Sequence, residues 1–233
     1  MSESVMSLLP TVNRLLADPA SLAQGWDRAA QWALAGELLA IVVGGFAAHG
    51  ITLGLVRPGW QTFASALKAP LVPLLSLLVT LPLLHALALV VSGGGGVAAT
   101  VALSLVPLAV AGLLLGAATP LLVFFGATSD YHFCKLLHVG TTSLGGLAGA
   151  LALLRTLRAA DGASPTVFLP WVLVFFFVAA QMAWTLRPFI GAPDQPFRWV
   201  AARGGRLNFY SAVALSLRDR VAPATAPAPQ DRD

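Results

Sequence analysis

The chain has 233 residues, 57% of them hydrophobic and only 10% charged, with a mean hydropathy of +0.80. Soluble domains carry about 25% charged residues, so these charges are too few to build a water-facing surface, and a soluble fold is excluded. Cys134 is the one cysteine, which excludes an intrachain disulfide. The net charge of +4 and pI ≈ 10.0 would suit nucleic acid in a soluble protein. Here the cations stand at span ends and in the tail, so anionic lipid headgroups are the expected partner and no nucleic acid is expected.

Residues 3–30 carry Val5, Leu8, Leu9, Val12, Leu15 and Leu16, a helical stripe broken by Pro10 and ended by Asp18-Pro19. This pattern predicts an N-terminal interfacial segment over 1–32. Glu3 and the short apolar runs do not resemble a signal peptide, so the mature chain is expected to start near Met1. A spanning helix needs about 20 apolar residues at about 1.5 Å each. Five segments qualify, at 33–56, 71–91, 97–126, 133–154 and 166–186. The third is longer than one upright crossing and is expected to tilt, kink at Pro107 or Pro120, or extend into the interface. Residues 57–70 are polar enough for the interface, with Trp60 and Phe63 at headgroup level. The SGGGG turn at 92–96 makes spans two and three an antiparallel hairpin, and Asp130 is placed to cap span four. Beyond the 33–187 bundle, 188–220 reads as a basic interfacial segment with an amphipathic helix at 208–220. The Ala/Pro-rich 221–233 reads as a disordered tail. The fold class is thus all-α, a polytopic transmembrane bundle of about five spans with interfacial helices at both ends.

Close helix packing in lipid requires small residues at fixed spacing. Span one offers Gly36, Ala40, Gly44 and Ala48, with Gly50 and Gly54 beyond; span three offers Gly112 and Gly116, and span four Gly145 and Gly149. Basic residues set orientation. The side with the N-terminal segment holds Arg14, Arg28, Arg155 and Arg158, whereas the other ten cations lie on the opposite side. The C-terminus is therefore expected in the cytoplasm. Twelve arginines against two lysines point to a high-GC bacterial genome and hence to the bacterial inner membrane.

Polar and ionisable groups at membrane depth are candidates for function. They are Glu37, His49 and His85, the cluster Asp130, His132, Lys135 and His138 around Cys134, and Gln181 with Arg187 at the end of span five. A neutral histidine can satisfy itself with one hydrogen bond across a helix seam, so His49 and His85 also suit a purely structural role. Cys134 and His138 share a helical face, but His132 points elsewhere, short of the three or four ligands a metal needs. No Gly-x-Ser-x-Gly elbow, phosphate loop, Cys-x-x-Cys pair or His-Glu metalloprotease motif occurs. No catalytic site, metal or cofactor is expected. The expectation is a non-enzymatic scaffold or accessory subunit with a membrane-protein partner or as a homo-oligomer. Alternatives are a channel or small transporter lined by Glu37, His49 and His85, and an unfamiliar enzyme using the 130–138 cluster.

Ala66-Leu67-Lys68-Ala69-Pro70, Asp130-Tyr131-His132-Phe133-Cys134-Lys135-Leu136-Leu137, and the 181–191 run with Asn208-Phe209-Tyr210 resemble a family of uncharacterised bacterial multi-pass membrane proteins. The resemblance covers about residues 60–217, and its most specific part is the Trp-x-Leu-Arg-Pro-Phe-Ile-Gly run at 184–191. It implies a multi-pass membrane protein and no particular activity. Members are sometimes labelled actin-binding WH2-domain proteins, which implies a short amphipathic helix followed by a Leu-Lys-Lys-Thr-like motif; only Leu67-Lys68 of it is present here, at a membrane entry. In span count the chain is also loosely similar to five-span membrane proteins that interact with Rab GTPases.

Overall fold

Inside a bilayer no water satisfies backbone N–H and C=O groups, so an apolar crossing segment must be helical or part of a closed barrel. The computed structural model describes residues 2–23, 27–56, 58–92, 96–129, 131–159, 168–190 and 197–200. Among them the chain forms α1 (Ser2–Ala17), a 3-10 turn (Pro19–Ala23), α2 (Arg28–Leu55), α3 (Trp60–Ser92), α4 (Val97–Ala117), α5 (Thr119–Thr128), α6 (Tyr131–Ala159) and α7 (Leu169–Leu186). Helices α2, α3, α4, α6 and α7 are each long and apolar enough to cross a membrane. The protein is an all-α, multi-pass membrane bundle.

Helix ends depart from the apolar runs for local reasons. Helix α2 begins at Arg28 rather than at residue 33, because the Asp27 carboxylate accepts a hydrogen bond from the Ala30 amide at 2.7 Å and caps the helix. The expected interfacial stretch 57–70 is not separate: α3 runs unbroken from Trp60 through Pro70, Pro73 and Pro82. Gly59, at φ 116, makes the turn before it in a conformation that glycine adopts without a Cβ penalty. At 33 residues, α3 is roughly 50 Å long, well beyond the hydrocarbon core. Trp60 and Phe63 stay exposed on its first turn, as headgroup anchors require.

The long third segment resolves into one crossing and one short helix. Pro107 is carried inside α4, whereas the break falls at Ala118, and Pro120 sits in the first turn of α5, where its missing N–H leaves no bond unmade. Helix α6 continues to Ala159, so Arg155 and Arg158 lie on its last turns instead of in a loop, where cations meet the helix dipole favourably. Pro10 does not break α1. The N-terminal segment also packs on the bundle: Leu15 and Leu22 join a buried cluster with Leu157, Phe168 and Trp171. Thr156 Oγ1 lies 3.4 Å from the Pro19 carbonyl. The amphipathic helix expected at 208–220 and the tail at 221–233 lie outside the described residues.

Helices α2, α4 and α6 meet backbone to backbone. A Cβ on Gly45 would stand 2.1 Å from the Gly112 carbonyl oxygen, and one on Gly149 would stand 2.4 Å from that of Pro107. On the other side of α2, Gly50 and Gly54 receive α3, each with backbone atoms 2.3 Å from a notional Cβ. Gly112, Gly116 and Gly145 also stand in these seams, between 3.3 and 3.5 Å from their neighbours. The register expected for α2 is corrected. Gly36, Ala40 and Gly44 are exposed, and nothing lies within 4 Å of a Cβ at Gly36 or Gly44. Ala48 is half-buried. Adjacent helical positions differ by about 100° in direction, so taking Gly44 instead of Gly45 rotates the seam away from its partner.

Candidate functional site

Helix α7 packs along α3, and α6 packs along α4, with no comparable seam between α6 and α7. The space left is a half-open cavity of about 970 Å³, at the upper end of the range for small-molecule sites. Phe46, His49 and Leu53 of α2 and Val72 of α3 form its floor. Helix α6 gives one wall, from Lys135 and His138 through Thr142 to Ala150, and Phe176 and Ala183 of α7 give the other. Phe189 and Ile190, just past α7, close one end.

The polar part of this lining is compact. His49 and His138 are 3% and 4% exposed, and their rings meet edge to face with centroids 5.1 Å apart. His49 Nε2 lies 3.2 Å from Thr142 Oγ1, a joint between α2 and α6. Each ring keeps a buried Nδ1 with no hydrogen-bond partner among the described residues. Lys135 lies one turn before His138, and among the described residues no acidic side chain lines the cavity. A buried polar atom without a partner costs about 1–3 kcal/mol, and the two rings carry that cost where α2 meets α6.

A second cluster holds the closed end. Pro188 cannot continue α7, so the carbonyls beyond Leu186 need donors from elsewhere. They come from the start of α3. Gln61 Nε2 donates to Phe189 O at 2.9 Å, the Ser65 hydroxyl donates to the same oxygen, and Lys68 Nζ donates to Pro188 O at 3.2 Å. All three side chains are buried. Lys68 Nζ also lies 5.4 Å from the Trp199 ring centroid, and the Arg187 guanidinium stacks 3.4 Å above Trp184.

Other candidates are scattered. Glu37 accepts a hydrogen bond from the Thr11 hydroxyl, tying α2 to α1. His85 Nδ1 lies 2.9 Å from Thr100 Oγ1, joining α3 to α4. Neither lines the cavity, so the path expected from Glu37, His49 and His85 is not one space. Cys134 is buried, with Sγ 3.6 Å from the Phe125 carbonyl oxygen. Gln181 is half-buried on α7. Asp130 and the side chain of His132 lie outside the described residues. Among the described residues no three His, Cys, Asp or Glu side chains are grouped to hold a metal.

Gln61, Ser65 and the partner of Lys68 escaped the sequence reading. Their signal is a polar stripe at three- and four-residue spacing, continued by Ser76 and Thr80, all buried in an otherwise apolar span. Lower on that stripe the Trp171 indole N–H donates to the Thr80 carbonyl at 3.2 Å. Comparison of the chain with protein-family models, curated proteins and solved structures finds no match.

Proposed function

We propose that this membrane protein is a non-enzymatic component, a scaffold or accessory subunit of a complex in a bacterial inner membrane, and that it acts by binding. The observation that carries the reading is the cavity between α6 and α7, set in a bundle where Glu37, His85 and Lys68 serve as joints between segments. The cations at the start of α3, the start of α6 and the end of α7 gather at one end of the bundle. Arg14, Arg28, Arg155 and Arg158 mark the other end, and the ten-to-four division of cations in the sequence supports a cytoplasmic C-terminus facing anionic lipid.

Extraction from native membranes into nanodiscs tests the assembly role. A complex with a partner protein or a second copy is the expected result; a lone monomer contradicts it. A C-terminal phosphatase fusion is expected to be inactive, and activity in the periplasm would reverse the orientation. The pairing of His49 on the cavity floor with His138 on the α6 wall favours a channel or small transporter as the second reading. Liposome flux that is lost with His49→Ala and His138→Ala would replace the subunit reading with that one.

A further inference from the structure

We infer that the cavity between α6 and α7 seats one acyl chain of a membrane phospholipid, taken sideways from the leaflet at the end of the bundle where α3 begins. The inference rests on the reading that the protein acts by binding, and it names the class of ligand. Three observations carry it. The first is depth. The lining residues farthest from that end on α2, α3 and α7 are Phe46, Val72 and Phe176. Phe46 lies nine residues before the end of α2, Val72 twelve after the start of α3 and Phe176 ten before the end of α7. At about 1.5 Å per residue these are depths of roughly 14–18 Å, and half of a hydrocarbon core about 30 Å thick is about 15 Å. Helix α6 lines the cavity from Lys135 to Ala150, roughly 22 Å, which matches one leaflet with its headgroups at about 20 Å. The cavity thus runs the depth of one leaflet and stops near the midplane.

The second observation is the opening. Val139, Leu147 and Phe176 line the cavity and are also 64%, 57% and 49% exposed. In a bundle that crosses the membrane, such a surface is covered by acyl chains. The cavity is therefore continuous with the bilayer interface, and a chain enters between α6 and α7 without leaving hydrocarbon. Small residues on α6 make the room: Gly146 and Ala150 line the cleft, and a Cβ added at Gly146 would meet Phe176 Cε1 at 3.9 Å. The third observation is a gradient of polarity. Lys135, His138, Thr142 and Ser143 stand on the half of the α6 wall nearer the headgroups, with His49 level with His138 and Thr142. Deeper in, Gly146, Leu147 and Ala150 on α6, with Phe46, Val72 and Phe176 on the other helices, offer no side-chain hydrogen-bond donor or acceptor. Water gains little in such a place. A ring bearing carbonyls would bury each oxygen without a partner, at about 1–3 kcal/mol, whereas a run of methylenes loses nothing. The wall is graded in the same sense as a leaflet.

The test uses the full chain reconstituted in phosphatidylcholine vesicles that contain a trace of phosphatidylcholine with a diazirine at the middle of one acyl chain. Cross-linked residues are mapped by mass spectrometry. Phe46 and Val72 lie on the cavity floor, and the outward Leu78 and Leu173 report lipid at the surface. Labelling of the floor residues within about threefold of that at the outward pair is expected. Gly146→Phe, whose side chain would enter the cleft toward Phe176, is expected to lower floor labelling about tenfold and to leave outward labelling unchanged. The unaltered chain decides the matter where the variant fails to fold. Labelling confined to the outward residues overturns the inference, as does floor labelling that persists in a folded Gly146→Phe chain. Loss of floor labelling on addition of a long-chain quinone also overturns it, because a ring-bearing ligand then holds the cleft. Floor labelling of a chain that extracts from native membranes as a lone monomer supports the acyl-chain site and removes the subunit reading alone. An intact complex whose purified chain is labelled only outward removes the acyl-chain site alone.

Discussion

Helices α4 and α7 are both apolar enough to span, yet the bundle treats them in opposite ways. In α4, 61% of the most apolar stretch is buried; in α7, 6% is, and Trp171 is its one buried residue. Lipid is as apolar as either helix, so hydrophobicity does not decide which one is enclosed. Side-chain size does. Helix α4 presents Ala98, Ala102, Ser104, Ala109, Ala111 and Gly112 to its neighbours, and α2 and α6 close on it to backbone contact at Gly45 and Gly149. Helix α7 carries Leu173 and Phe177 outward and touches the rest through α3. One half of the molecule is a tight core, and the other is a helix held on one side beside a cavity.

The largest expected effect breaks the tight half. Gly45→Leu drives a side chain into the Gly112 backbone, where a Cβ alone would stand at 2.1 Å. A loss of about 3 kcal/mol or more is expected, read as a lowered thermal midpoint in detergent. Gly44→Leu, with nothing within 4 Å, is expected to leave the midpoint unchanged. Equal effects would mean that α2 is rotated from the register described.

A smaller change loosens the other half. Lys68→Ala and Gln61→Ala each leave carbonyls of Pro188 or Phe189 short of a donor. Each oxygen keeps a second donor, Gln61 or Lys68 at Pro188 and Ser65 at Phe189, so a cost of about 1 kcal/mol is expected, localised to the end of α7. With Cys134→Ala as background, a cysteine at Phe189 should react faster with an impermeant maleimide in either variant. Unchanged reactivity would show that the α3 donors do not hold this segment. The smallest effect is at the joint between the halves: His85→Ala removes the contact with Thr100 and is expected to cost about 0.6 kcal/mol in the same melts.

Much of this architecture is legible in the amino-acid sequence, because about 20 apolar residues in a row have few other fates. The break at Ala118 is less so. Pro107 and Pro120 are equivalent as letters, and only packing on both sides of α4 decides that the first is absorbed and the second begins a helix. The small-residue period in α2 is visible, but its phase is not: Gly44 and Gly45 are neighbours in the chain, and one of them faces α4. Capping by Asp27 is a short-range signal that an apolar-run reading passes over. His49 and His138 stand out as intramembrane histidines, but their edge contact joins residues on α2 and α6, and no spacing along the chain encodes it. The grip of Gln61, Ser65 and Lys68 on the end of α7 is long-range in the same way, although the polar stripe along α3 is written in its spacing.

The contrast between a closed core and an open α6–α7 cleft is tested most directly by a bimane probe on Ala150→Cys, in a Cys134→Ala chain reconstituted in phosphatidylcholine vesicles. Ala150 lines the cavity, and Leu78, 66% exposed on α3, provides an outward reference. Quenching by acyl-chain doxyl lipid approaching that at Leu78→Cys, with little quenching by aqueous iodide, is the result predicted. Protection from doxyl lipid at Ala150→Cys alone would show α6 and α7 packed together and would contradict the cleft.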